Sequence, residues 1–166
     1  MLRALAALLI ASSVLPAQAA SCRQEHAVYR DSDNAYELAF EPVDSEASSS
    51  SHRFTLKVLN KPVVLEGYVL PSEPVNRPNG MIFYNCPEGD VTGADLAACT
   101  VWQGVIYAHY DAHIDLLPPQ GSAAAAQILL PGFGPSVRAS NVWGKDKAMV
   151  VPWDVLTLKD CNKMAG

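Results

Sequence analysis

Beyond its first twenty residues the chain has no apolar run approaching the roughly 20 residues needed to span a bilayer as a helix. No pair of its cysteines is spaced C-x-x-C. That removes the common thiol-redox motif and the closely spaced ligand pairs of a four-cysteine zinc site. The motifs G-x-S-x-G, H-E-x-x-H and S-x-x-K and the P-loop are all missing. Signatures of serine hydrolases, zincins, acyl-serine enzymes and nucleotide triphosphatases are therefore absent. Basic residues are few, 12 Lys and Arg against 17 Asp and Glu for a net charge of −5. Nucleic acids and anionic lipid surfaces both call for basic surface, so neither partner is expected. Aromatic residues make up 8% of the chain, and Trp102, Trp143 and Trp153 are expected in a core before a binding platform. There is no internal repeat and no strand–helix alternation of the βαβ kind.

What is present begins with an export signal. Met1-Leu2-Arg3 is a short basic start, Ala4 to Leu15 is small or apolar apart from Ser12 and Ser13, Pro16 breaks the run, and Ala17-Gln18-Ala19 reads as a cleavage site. Residues 1–19 are expected to be removed, leaving 20–166 as one globular domain stabilised by disulfides, in the periplasm or secreted. That length suffices to bury roughly 70% of the unfolded chain's surface. Loss of Arg3 leaves 11 basic residues against 17 acidic ones, a charge of −6. No transmembrane anchor is expected after the cut. Lipidation of Cys22 is disfavoured, because Ala19-Ala20-Ser21 carries no large aliphatic residue and acylation would strand three cysteines.

The four cysteines, Cys22, Cys86, Cys99 and Cys161, all follow the cut, where oxidation is permitted. Four allow three pairings, and spacing alone does not choose among them. The expected set is Cys86–Cys99, closing a short loop, with Cys22–Cys161, tying the two ends of the mature chain.

Alternation of apolar and polar residues points to strands. Tyr36 to Glu41 places Tyr36, Leu38 and Phe40 on one side; Arg53 to Leu59 does the same for Phe54, Leu56 and Val58; Val63 to Leu70 does so for Val63, Leu65 and Val69. The second and third form a hairpin across Asn60-Lys61-Pro62. Pro78-Asn79-Gly80 reads as a turn, and Met81 to Cys86 as a buried strand. Thr92-Gly93-Ala94-Asp95 matches a capping box, so a helix is expected from Gly93 toward Gly104, ending earlier if Thr100-Val101-Trp102 prevail. Val105 to Leu117 reads as one strand, Ala123 to Ala126 as a helical turn, and Ala148 to Leu158 as strand-like around Pro152. The expected fold class is α+β, mostly antiparallel β as a sheet or partly closed barrel or sandwich, with one or two short helices.

Three segments carry candidate chemistry. On a strand, His109, Asp111, His113 and Asp115 share one face at steps of about 6.5–7 Å, a donor set suited to zinc or copper; alternation on a half-exposed strand explains the same pattern. In Leu129 to Arg138 an apolar run enters a glycine-rich turn, and Gly132, Gly134, Ser136 and Arg138 form a candidate anion site at a helix start. A tight structural turn is the better account of that segment. Glu88, Asp90 and Asp95 offer oxygens to calcium, although Asp95 already serves the capping box.

The functional expectation is an exported, non-enzymatic protein that binds a small ligand or a partner and needs no cofactor. A rival is a transition-metal module or metal-dependent hydrolase centred on His109, Asp111 and His113, with zinc or copper as cofactor. A third reading, an acidic inhibitor of a basic extracellular enzyme, rests on charge alone.

Overall fold

The computed structural model describes residues 22–44, 48–72 and 74–162, so the expected export signal and cleavage site lie outside the described residues. Ten strands form one sheet: β1 (Ala27–Asp31), β2 (Tyr36–Glu41), β3 (His52–Val58), β4 (Val63–Ser72), β5 (Arg77–Phe83), β6 (Thr100–Val105), β7 (Tyr107–Tyr110), β8 (His113–Leu116), β9 (Gln127–Leu129) and β10 (Val155–Cys161). Two short helices, α1 (Gly93–Cys99) and α2 (Phe133–Ala139), complete the α+β, mostly β fold.

Every neighbouring pair is antiparallel, and the order across the sheet is β6-β5-β4-β3-β2-β1-β10-β9-β7-β8. That order dictates the shape. β6 is one margin, β7 lies next to the other, and Ile106 alone joins them in sequence. A flat sheet would hold them eight strands apart, so the sheet curls into a half-barrel. Ile106 marks the seam, fully buried, with its N–H on the Pro78 carbonyl at 3.0 Å.

The alternating strands turn their apolar sides into this trough as their sequences require. Tyr36, Leu38 and Phe40 of β2, Phe54, Leu56 and Val58 of β3, and Val63, Leu65 and Val69 of β4 are all buried. Gly67 occupies the one inward position of β4 without a side chain, opposite Phe54 on β3. An added Cβ would stand 2.0 Å from the Phe54 ring, so the glycine is what makes room for it. α2 plugs the trough: Phe133 packs edge-on against Tyr36 and Trp102, and the Trp102 indole donates to the Pro131 carbonyl at 3.0 Å.

Both expected disulfides are present. Cys22–Cys161 spans 139 residues and joins the approach to β1 to the end of β10; Cys86–Cys99 spans 13 and ties the end of α1 to the chain leaving β5. The capping box of α1 is formed in both directions between Thr92 and Asp95.

Several expectations are corrected. Pro78-Asn79-Gly80 is not a turn but part of β5; the turn lies at residues 74–76. Pro78 is tolerated because it faces Pro71 at the end of the β4–β5 ladder, where neither needs an N–H. α1 takes the earlier of its two expected ends, stopping at Cys99, where the branched and aromatic residues Thr100-Val101-Trp102 open β6 and the helix does not reach Gly104. Ala123 to Ala126 forms no helix; Ala123 bridges Arg23, and the Ala124 N–H bonds the Cys22 carbonyl at 2.8 Å. β10 begins only at Val155, and β1, hidden among acidic residues, has no counterpart in the strands read from the sequence.

The start of α2 is held from outside the helix. The Gly132 and Gly134 N–H groups donate to the Asp154 carboxylate at 2.7 and 3.2 Å, and the Leu130 N–H donates to the Asp154 carbonyl at 2.8 Å. Asp154→Ala would leave the buried Gly134 N–H without its acceptor. The expected loss is about 1–3 kcal/mol of unfolding free energy, read from urea denaturation.

Candidate functional site

The seam at Ile106 leaves a gap between two projecting edges. One lip is the far end of the β4–β5 hairpin, where residues 74–76 turn, ending on Asn76, and Arg77 begins β5. The other is β8 with the chain running on to Gln120. Between them lies a groove of 510 Å³ walled by Pro71, Pro78, Leu116, Leu117 and Pro119, with Ser51 and His52 beneath. An adjoining recess of 460 Å³ continues it past Arg77, Tyr107 and Ile114. Asn76 and Leu116 border both. Its walls explain its character: prolines and leucines supply apolar surface, and the prolines add no backbone donor, which suits a mostly apolar concave small-molecule site.

The floor is rigid. His52, the first residue of β3, is 4% exposed. Its Nε2 lies 2.9 Å from the Pro118 carbonyl and its Nδ1 lies 3.0 Å from the Ser51 hydroxyl. A carbonyl only accepts, so Nε2 carries a proton, while the single Ser51 hydroxyl proton has both Nδ1 and the Val69 carbonyl, at 3.2 Å, as acceptors. Phe40 packs edge-on against the ring. The Gln120 amide pairs with both backbone groups of Val43, at 2.8 and 3.0 Å, and so closes the far end as a strand would. Glu25 accepts from the Gly121 N–H at 2.7 Å beside it.

Burial holds the His52 imidazole below its ordinary value of 6.5, against the Pro118 hydrogen bond and the Glu25 charge, which pull it upward. The sign follows. The unfolded chain binds a proton that the folded chain resists, so this contribution is intact above about pH 6.5 and is lost as the pH falls toward the lower folded value. A His52→Gln variant keeps an amide donor and does not titrate. Between about pH 7.5 and 5 the parent protein is expected to lose more of its urea midpoint than this variant; equal losses would refute the assignment.

The segments singled out in the sequence fall elsewhere. Val105 to Leu117 is not one strand: it breaks at Asp111-Ala112 into the β7–β8 hairpin. His109 pairs with Ile114 and Tyr110 with His113. Directly paired residues share a face and successive ones alternate, so His109 and His113 lie on opposite faces. His109 bonds Gln127 at 3.0 Å, His113 stacks on Tyr110 with centroids 5.1 Å apart, Asp111 sits exposed in the turn, and Asp115 accepts the Leu116 N–H at 2.7 Å. The four are not brought together, and among the described residues no group of three or more His, Cys, Asp or Glu stands in position to hold a metal ion.

Gly132, Gly134 and Ser136 do gather at a helix start, but the anion there is the chain's own Asp154 carboxylate. The Ser136 hydroxyl donates to the Gly132 carbonyl at 2.8 Å, and Arg138 lies in the last turn, at the other end of α2. Glu88 and Asp90 are exposed, and Asp95 is spent on the capping box. Trp102 is buried as expected, whereas Trp153 is 56% exposed, its indole N–H on Asp33 at 2.9 Å. Trp153 belongs to an exposed apolar strip with Met149, Val150, Val151 and Val155, whose backbone is pinned by the Tyr36 hydroxyl on the Val150 carbonyl at 2.6 Å.

No local motif announces the groove. Its walls come from three separated stretches, near residues 52, 71–78 and 114–120. The only hint in the sequence is an excess of proline: Pro71, Pro74 and Pro78 on one lip, Pro118 and Pro119 on the other.

Comparison with known proteins finds no matching family model, no matching curated protein and no matching solved structure. All four cysteines are paired, which fits an oxidising setting, and no helix among the described residues is long and apolar enough to cross a membrane.

Proposed function

We propose that this is an exported binding protein without enzymatic activity, working in the periplasm or outside the cell, and that its ligand occupies the groove between the β4–β5 hairpin and β8. The observation that carries the reading is the groove itself: apolar walls from two lips over a floor fixed by the His52–Pro118 and Gln120–Val43 hydrogen bonds. Such preformed, mostly apolar concavities with few polar groups are where small ligands bind. The paired cysteines and the Ala17-Gln18-Ala19 cleavage site support the compartment.

The test uses the uncharged fluorescent probe N-phenyl-1-naphthylamine. Saturable binding to the parent protein is expected, weakened at least about tenfold by Leu116→Arg, which places a charge in the apolar wall. Leu116 is 36% exposed, so the variant should keep its fold, as circular dichroism would verify. Absence of binding, or binding indifferent to Leu116→Arg, would overturn the reading.

A further inference from the structure

The two lips differ in chemistry. β8 presents Ile114 and Leu116, exposed and aliphatic. The facing lip presents two consecutive polar residues, Asn76 and Arg77. The Asn76 side chain makes no hydrogen bond within the described residues, although it borders both parts of the groove. Among the described residues the Arg77 guanidinium has one hydrogen-bond partner, the Tyr107 hydroxyl at 3.4 Å, and both residues line the adjoining recess. The ion pairs among the described residues are Arg30–Glu37 and Arg53–Glu41, so none of the described carboxylates stands within salt-bridge reach of Arg77. In a chain with 17 acidic and 12 basic residues, an arginine with no acidic partner among the described residues, beside an apolar groove, is a place for an outside anion.

Asp115 lines the same recess and opposes an anion there. Its Oδ1 is turned onto its own strand, accepting the Leu116 N–H at 2.7 Å, and it stands beyond salt-bridge reach of Arg77. That contact also occupies a backbone donor of the sheet's outermost strand, which disfavours an added peptide strand at this edge.

Building on the groove as ligand site, we infer that its ligand is a single-chain amphipathic carboxylate, with the aliphatic chain between Leu116, Leu117 and the prolines and the carboxylate on the Arg77 guanidinium beside the Asn76 amide. The guanidinium fork matches a carboxylate in two parallel hydrogen bonds, and the aliphatic chain removes apolar surface from water without requiring any donor from the proline walls.

The experiment titrates dodecanoate and uncharged dodecanol, below their aggregation concentrations, against the parent protein, Arg77→Gln and Leu116→Arg, by displacement of the naphthylamine probe. Dodecanoate is expected to bind about tenfold more tightly than dodecanol. Arg77→Gln should abolish that preference while leaving dodecanol binding unchanged, and Leu116→Arg should weaken dodecanol. Arg77 is exposed, so its replacement should leave the thermal midpoint in place. Equal binding of both compounds, or a preference that survives Arg77→Gln, would overturn the anionic head group while leaving the groove as an apolar site. Failure of the probe and both compounds to bind would overturn the groove reading and this inference together. Co-sedimentation with phosphatidylglycerol vesicles in place of binding to monomeric dodecanoate would put the anion on a membrane surface and overturn the single-chain assignment.

Discussion

Replacing Cys22 and Cys161 together by serine is expected to lower the unfolding free energy by about 4–5 kcal/mol, against about 3 kcal/mol for the Cys86 and Cys99 pair. The difference lies in the loops. The first bond closes 139 residues and the second closes 13. A cross-link stabilises chiefly by restricting the unfolded chain, and the restriction grows with the logarithm of loop length. The long bond also sits where the topology needs it. β1 and β10 are neighbours in the middle of the sheet, yet they come from opposite ends of the described chain. Ala27 lies opposite Cys161 in their ladder, so the bond holds together the pairing of greatest sequence separation. The check is urea denaturation of both double-serine variants beside the parent. If losing the long bond costs no more than losing the short one, the loop-length account is refuted.

Gly67→Ala and Phe54→Ala should both be damaging, and the two should interact. Phe54 is fully buried opposite Gly67 and also packs against Phe40. Its removal leaves a void among β2, β3 and β4, at an expected cost of about 3–5 kcal/mol. A methyl group on Gly67 would meet three Phe54 ring atoms at 2.0 to 2.5 Å, so the ring must leave its place. Overpacking of this kind costs about 1–3 kcal/mol. Once Phe54 is alanine the added methyl has space, and the double variant should lose less than the two single losses combined. Unfolding free energies of the four proteins close this cycle. Strict additivity would show that Gly67 is not there to house the ring.

Much of this region is written into local sequence. A period of two over Tyr36 to Glu41, Arg53 to Leu59 and Val63 to Leu70 names the buried faces of β2, β3 and β4, because alternation is a property of the strand backbone alone. The capping box at Thr92 and Asp95 is equally local. β1 escapes such a reading because Ala27, Val28 and Tyr29 are all buried, with no alternation to detect. The break at Asp111-Ala112 escapes it because alternation continues through a two-residue turn. His109 and His113 then separate onto opposite faces, although the sequence spaces them as if on one.

The sequence by itself therefore settles the strand faces of the central meander, the start of α1 and a charge balance with acidic residues in excess. Each depends on neighbours within a few residues. Only the tertiary structure decides that Ile106 is a seam between the sheet's margins, that Asp154 supplies the anion at α2, and that Asn76, Arg77 and Leu116 face one groove. Those facts depend on strand order, and strand order follows from how the whole sheet covers its apolar side, which no short window of sequence contains.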